Sequence, residues 1–480
     1  MQQEQAQPRT GADPNQRTTT PFAAQARIVL ARWSLPVLLG LAVTLLYTSY
    51  SALQWEAFTV KSWDLGIFTQ LAQRYAAWET PFVPIKGPDY NLLGDHFHPL
   101  LALLGPVYAL FPHAFTLLVV QNALFGLATA IIARAAISRL GLLLGALLGL
   151  AFGLSWGLQY AVEAQFHEIA FAVPLLAGSL VALLDRRWIA AAVWGGLLVF
   201  VKEDLGLTVI VLGIVLAWRS RRLIGIALAA WGGIWFLLAT KVILPALNPD
   251  GGWDYGNRFD PFALLSDPGS LFALAKGETL LLMLAVSAGL ALLSPVTLVA
   301  LPTLGWRFLS ENSGYWGPTW HYSAVLLPIM FVALLDGIER IRRPDAPRWL
   351  RGYGRLAPVV ALVASLVLLP TLPLAALVTP GTSFAAPRAD AARAALAAVP
   401  AGASVESDIG LMSYLLDDHV VTWIGNDNPV PDAILIDRVA GGTPAEWGDV
   451  LGVAAELHPD ERYEVLFSDS GYELARRITG

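Results

Sequence analysis

Apolar residues in this chain gather in repeated blocks of roughly 20 positions, the length a helix needs to cross a bilayer's hydrocarbon layer, with short polar punctuation between them. The first block runs from Leu35 to about Leu53 and has no small-residue cleavage site after it, so it reads as a retained helix and not a signal peptide. Eleven such spans place every Arg-rich connection on one side. Arg27 and Arg32 precede the first span, Arg134 and Arg139 follow the second, and Arg186 and Arg187 follow the fourth. Arg219, Arg221 and Arg222 follow the sixth, while Arg340, Arg342, Arg343, Arg348, Arg351 and Arg355 follow the tenth. Positive charge in short loops marks the cytoplasmic side. The N-terminus is therefore expected inside, and everything after about residue 380 outside, the plasma membrane.

Several segments break this pattern. Residues 1–25 are polar and aperiodic and read as a disordered cytoplasmic tail. Residues 26–379 make the polytopic domain, with a first outer loop at 55–113. In that loop, Leu65, Phe68, Leu71, Tyr75 and Trp78 repeat at three and four positions, which predicts an amphipathic helix over Asp64–Trp78 with Asp64 as its N-cap. Residues 98–112 are apolar but short and interrupted by Gly105-Pro106, which suits a helix lying at the interface. Blocks 188–218 and 278–307 are too short for two full spans each; each predicts paired short helices or a re-entrant hairpin, with a cavity beside Lys202-Glu203-Asp204. Residues 380–480 alternate helical stretches with short β-rich runs at 420–424, 433–436 and 463–467, predicting a small extracytoplasmic α/β domain on a partly parallel sheet. The expected fold class is an all-α polytopic membrane protein of about 11 transmembrane helices carrying that domain.

Composition agrees: 56% of the 480 residues are hydrophobic, 14% are charged, and the mean hydropathy is +0.57. Seventeen Trp and thirteen Tyr, many near block edges, fit side chains anchored at headgroup level. The chain has no Cys, which excludes disulfides, thiolate metal sites and cysteine nucleophiles. A net charge of −6 without a basic stripe argues against a nucleic-acid partner.

Ionisable groups in or near hydrocarbon are costly unless paired or hydrated, so their clusters are functional candidates. On the expected outer side these are Asp64; Asp95, His96 and His98; Glu163, His167 and Glu168; Lys202, Glu203 and Asp204; Arg258; and His321 with Tyr322. Asp64 reads equally as a cap or a catalytic base. His96 and His98 lie two apart, so in extended backbone their rings point the same way, and they suit a divalent metal, a phosphate or interfacial water. Glu163 and His167 are spaced to share one helical face, either as a carboxylate–imidazole pair or as a polar helix cap. Lys202 suits a lipid phosphate as a compact charge; Arg258 and His321-Tyr322 would add contacts to it.

The run SWDLGIF…GDHFHPLLALLGPVYALFP, then QFHEIAFAVPLL, VKEDLGL, YGNR and ENSGYWGPTWHYSAVLLP, resembles the bacterial membrane protein family called domain of unknown function 2079. That family is in turn similar to the GT-C membrane glycosyltransferases, such as protein O-mannosyltransferases and lipid A aminoarabinose transferases. The GT-C resemblance rests on an acidic residue after helix one (Asp64), an interfacial helix opened by Pro99-Leu100, and a Lys at the outer end of a short span (Lys202). It implies a GT-C-like fold and transfer of a sugar from a polyprenyl-phosphate donor, within membrane lipid, to an acceptor of unknown identity, with Asp64 activating or orienting that acceptor. Two departures stand out: Asp-Leu-Gly replaces an acidic pair after helix one, and the His-x-His and Phe-His-Glu elements are not general GT-C features.

The leading expectation is thus a GT-C-type glycosyltransferase. Asp64 would be catalytic, Lys202 and Arg258 would hold the phosphate, and Asp95, His96, His98, Glu163, His167, Glu168, Glu203, Asp204, His321 and Tyr322 would line the cavity. A divalent ion would sit among His96, His98, Glu163 and His167. The alternatives are a lipid or small-solute transporter, for which the Lys202 hairpin is the relevant feature, and a non-catalytic envelope binding or assembly protein.

Overall fold

The computed structural model describes residues 22–60, 63–256, 268–384 and 386–478. Its first half is helical: α1 (Phe22–Glu56), α2 (Trp63–Ala76), α3 (Leu104–Leu110), α4 (Phe115–Leu140), α5 (Leu142–Gly153), α6 (Trp156–Glu163), α7 (Ala172–Leu184), α8 (Trp188–Gly196), α9 (Leu205–Ser220) and α10 (Leu223–Leu238). Among the described residues, five stretches are long and apolar enough to cross a membrane: Trp33–Glu56, Phe115–Leu140, Leu142–Glu163, Leu223–Leu247 and Arg348–Thr371. Four shorter apolar helices accompany them, Pro99–Leu110, Glu168–Leu184, Trp188–Phe200 and Leu205–Ser220.

The short pieces fall where the sequence pattern breaks. Residues 188–220 form two short helices separated at 201–204, where Lys202-Glu203-Asp204 interrupts the apolar run. Tight packing of α9 on α10 closes that region: a methyl group on Gly225 would lie 2.2 Å from the Ala217 nitrogen, so only glycine permits the approach. Residues 278–307 likewise divide into the helices Leu274–Val286 and Leu301–Leu309, joined by short 3-10 turns. The interfacial segment after Pro99 is a 3-10 turn running into α3.

The helix expected over Asp64–Trp78 begins one residue earlier and ends at Ala76. Asp64 is therefore not its N-cap but lies within its first turn, where a carboxylate still favours the positive end of the helix dipole. Leu65, Phe68 and Leu71 are buried as their spacing requires, whereas Trp78, already past the helix with φ 58°, is 91% exposed.

The C-terminal unit is built on five strands, β1 (Ser404–Ser407), β2 (Val420–Trp423), β3 (Ala433–Asp437), β4 (Tyr463–Asp469) and β5 (Tyr472–Arg477), in the order β2-β1-β3-β5-β4. β1 runs parallel to β2 and β3, while β5 is antiparallel to β3 and β4, so the sheet is mixed. The helix Ala389–Ala397 precedes β1, and the helix Val450–Leu457 connects β3 to β4.

This unit packs on α2. Gln70 Nε2 donates to Val421 O at 2.8 Å while its Oε1 accepts from Ile85 N at 3.0 Å, and Gln73 Nε2 donates to Leu416 O at 2.7 Å. Asn426 Nδ2 donates to Ile85 O at 2.9 Å, and Trp423 stacks on Trp63 with ring centroids 4.6 Å apart. Both ends of the hydrogen-bonding capacity of Gln70 are thereby used to seat one helix between a loop and a strand.

Candidate functional site

A cavity of about 580 Å³ opens where the polar breaks of the chain meet. Its walls come from the start of α2 (Asp64, Ile67, Phe68), the loop at 92–98, the α6–α7 turn, the 202–204 break, Trp253 and Tyr255 after α10, the helix Leu301–Leu309, and Tyr315, His321 and Tyr322. Eleven of the expected site residues line it: Asp64, Asp95, His96, His98, His167, Glu168, Lys202, Glu203, Asp204, His321 and Tyr322. Arg258 lies outside the described residues.

Glu163 does not line the cavity, and the reason is local. The expected shared helical face requires helix through residue 167, but α6 ends at Glu163, Gln165 turns left-handed (φ 64°), and His167 is extended (φ −138°, ψ 152°). Glu163 is left exposed beside the cut end of its helix, while His167 is carried inward to 3% exposure. Its backbone N–H is held by Gln121 Oε1 at 3.2 Å.

His167 meets Asp64 instead. Its Nε2 lies 3.3 Å from Asp64 Oδ2, and its Nδ1 lies 3.2 Å from Gln165 O. A carbonyl only accepts, so Nδ1 carries a proton, and the remaining proton is shared between Nε2 and the carboxylate. Burial pulls the His167 imidazole down, but the charge and hydrogen bond of Asp64 outweigh it and hold the ring above its ordinary value. Burial pushes Asp64 up, and the His167 charge and hydrogen bond bring it below the ordinary carboxylate range. Both shifts favour the ion pair between the two groups, with the Asp64 side chain 49% exposed. His321 stacks on His167, ring centroids 3.5 Å apart and planes 27° from parallel. Burial, then the neighbouring His167 charge, hold His321 well below its ordinary value, so a neutral ring covers a charged one.

A second pair stands beside the first: Lys202 Nζ donates to Glu168 Oε1 at 2.7 Å. On a further wall, His96 Nδ1 is 2.8 Å from Glu203 Oε1, Phe97 N donates to Glu203 Oε2 at 3.0 Å, and Trp253 Nε1 donates to Oε1 at 3.3 Å. Burial lowers His96, and the Glu203 charge more than reverses that, leaving the ring raised. Tyr255 stacks on His96 at 4.3 Å. Asp95 is paired with Lys86 at 3.2 Å. His98, 1% exposed and set edge-on to Phe68, is pushed down to about 4 by burial.

The residues expected to hold a divalent ion do not form one ligand set. His96 is engaged by Glu203, His167 uses both ring nitrogens, and Glu163 lies elsewhere. Among the described residues no cluster of three or more His, Asp or Glu is arranged to hold a metal ion.

Aromatic residues complete the walls, and of these only Tyr322 is among the expected site residues. Trp306, Tyr315 and Tyr322 meet edge to face, with centroids 5.4, 4.9 and 5.8 Å apart. Arg307, fully buried, donates to Tyr315 O, Gly317 O and Ser323 Oγ and so fixes the loop that ends in His321. Trp320, just before His321, is left-handed (φ 66°), a strained conformation for a bulky side chain. The tryptophan and tyrosines of WDYGNR and ENSGYWGPTWHY were the available signal.

The family model of the predicted membrane proteins DUF2079 matches residues 54–474. The chain belongs to the DUF2079 family. No curated protein matches this DUF2079 chain. Among solved structures it is similar to the crystal structure of ArnT from Cupriavidus metallidurans bound to undecaprenyl phosphate, with a TM-score of 0.52 and 13% identity over 92% of this chain and 97% of that one. The apo form of the same ArnT gives a TM-score of 0.51 and 12% identity over 94% of this chain and 98% of that one. At that identity the likeness is one of fold, and it spans both the helical region and the C-terminal unit of the DUF2079 chain.

Proposed function

We propose that this protein is an integral membrane glycosyltransferase of GT-C type, which transfers a sugar from a polyprenyl-phosphate-linked donor to an acceptor on the extracytoplasmic face. The observation that carries the reading is an ionised Asp64 beside Lys202 in one cavity, within an ArnT-like fold whose solved relative binds undecaprenyl phosphate. In this reading eleven spans, some of them broken, keep the N-terminus in the cytoplasm and put the C-terminal unit of residues 380–480 outside.

Asp64 acts as general base. The acceptor hydroxyl gives its proton to the carboxylate, its oxygen bonds to the anomeric carbon, and the bond from that carbon to the phosphate oxygen breaks with its electron pair. Polyprenyl phosphate leaves as the anion. His167 keeps the base ionised at neutral pH and orients it, and the stacked His321 covers the outer face of the imidazolium. Lys202 spends one of three N–H donors on Glu168, which leaves two for the developing phosphate charge.

The test is to incubate purified protein with candidate polyprenyl-phosphate sugars and measure released carrier, for wild type and Asp64→Asn. Release that depends on Asp64 supports the reading. Release unchanged by Asp64→Asn overturns the assigned base, and no release from any donor overturns the transferase.

A further inference from the structure

Four polar atoms on the walls of this one cavity have no hydrogen-bond partner among the described residues: His98 Nδ1, His321 Nδ1, Asp204 Oδ1 and Trp306 Nε1. His98 is 1% exposed and His321 8%, so neither ring is hydrated as a surface group would be. Buried polar atoms left without partners are costly, and a ligand that supplies partners recovers that cost. Both imidazoles are neutral, and a neutral ring nitrogen meets a hydroxyl either as donor or as acceptor. Asp204 Oδ1 can only accept unless its carboxyl is protonated. The Trp306 indole N–H only donates, and one chemical group serves all four, the hydroxyl.

The charges narrow the ligand further. Asp64, Asp95, Glu168 and Glu203 line the cavity and each already faces a cation or imidazole: His167, Lys86, Lys202 and His96. Asp204 has no ion pair among the described residues. Of the cations counted there, only the spare donors of Lys202 face an incoming anion, and a lipid phosphate takes them. A second negative charge on the same ligand would meet Asp204 and the paired carboxylates, with no further unpaired cation on the cavity wall among the described residues to receive it. Meanwhile Trp253, Tyr255, Trp306, Tyr315 and Tyr322 supply flat apolar faces against which C–H groups of a pyranose ring pack.

We infer that the group held in this cavity next to the phosphate is a hydroxyl-rich sugar bearing no negative charge of its own, received by His98, Asp204, His321 and the surrounding aromatic faces. The inference rests on the donor reading above for the phosphate but not for the sugar. Sugars oxidised to a carboxylate, or sulfated, are then rejected.

The experiment uses the full-length protein in lipid nanodiscs loaded with undecaprenyl phosphate, which occupies the spare Lys202 donors, and saturation-transfer NMR with two probes of equal size, methyl glucoside and methyl glucuronide, alongside a separate titration of carrier-free nanodiscs with bare undecaprenyl phosphate. The expected result is a glucoside signal about fivefold or more above the glucuronide signal at neutral pH. Asp204→Asn should narrow that gap by raising the glucuronide signal, and Trp306→Leu should lower the glucoside signal. Equal or stronger transfer to the glucuronide, or transfer to neither sugar, overturns the inference, and the wild-type comparison decides this even where a variant fails to fold. Selective glucoside binding without binding of bare undecaprenyl phosphate would remove the lipid-donor reading and leave the sugar site standing.

Discussion

Two sets of buried carboxylates sit in this molecule, one lining the cavity and one inside the C-terminal sheet, and they are finished differently. In the sheet, Asp408 accepts from Gly410 N, Asp437 N and Thr443 Oγ1 at 2.8–2.9 Å. Asp437 receives both terminal nitrogens of Arg388 at 2.7 and 2.8 Å and two backbone N–H groups besides. Glu406, with no exposure, is closed by His458 at 2.6 Å and by Asn428. Each of those charges is answered within the fold. Around the cavity the pairs are looser: Asp64 keeps a half-exposed carboxylate, and His98, His321 and Asp204 keep atoms with no answer. Satisfied buried charge fixes a shape, whereas an unsatisfied polar atom on a cavity wall is a place for a ligand to bind.

That contrast breaks first if Asp64→Asn behaves as a structural lesion. The expectation is a fall in carrier release on the order of 10²–10⁴-fold with the protein still folded and its unfolding temperature lowered only as far as loss of the His167 pairing requires, checked by turnover and differential scanning fluorimetry on one preparation. Arg388→Ala should do the reverse. It strands Asp437, whose side chain has no exposure, and should cost about 3–5 kcal/mol in the C-terminal unit, read from denaturant unfolding.

A pH series sharpens the comparison with a smaller effect. The folded value of Asp64 is depressed, so its contribution is present above its unfolded value of about 3.9 and is lost as pH falls through the lower folded value. His167 is raised, so its contribution is full below about 6.5 and disappears as pH climbs through the higher folded value. Melting temperature against pH should show an alkaline decline that His167→Asn removes, and an alkaline limb that persists in His167→Asn would sever the pairing. The smallest change expected is in Trp423→Ala. Losing the stack on Trp63 should cost about 0.5–1.5 kcal/mol and show as faster proteolysis between the helical region and the sheet.

Much of the frame was legible because it follows from simple periodicities. The spacing of Leu65, Phe68 and Leu71 gave α2 to within a residue at its start, and three consecutive charges in an apolar run located the break at 202–204. The strands β2, β3 and β4 announced themselves as apolar or β-branched runs. β1 did not, because Ser-Val-Glu-Ser reads as polar; its Glu406 is buried through partners 22 and 52 positions away, Asn428 and His458. β5 was hidden by the charges of Tyr-Glu-Leu-Ala-Arg-Arg.

In the site, membership was readable from the polar residues themselves, since charge at a span end needs a reason, but partnership was not. Glu163 and His167 looked coupled because helix was assumed to continue, and a single left-handed residue at Gln165 cancelled it. Asp64 with His167, Lys202 with Glu168 and His96 with Glu203 are contacts between segments that sequence spacing cannot measure.

The seating of Gln70 against Val421 joins positions 351 residues apart. At ribosomal rates of about 5–20 residues per second, the helix bearing Asp64 exists for roughly 20 to 70 s before the strand that braces it is made. A nascent chain thus carries the helix bearing Asp64 without this brace until β2 is made. Maturation of this protein is timed by its own length.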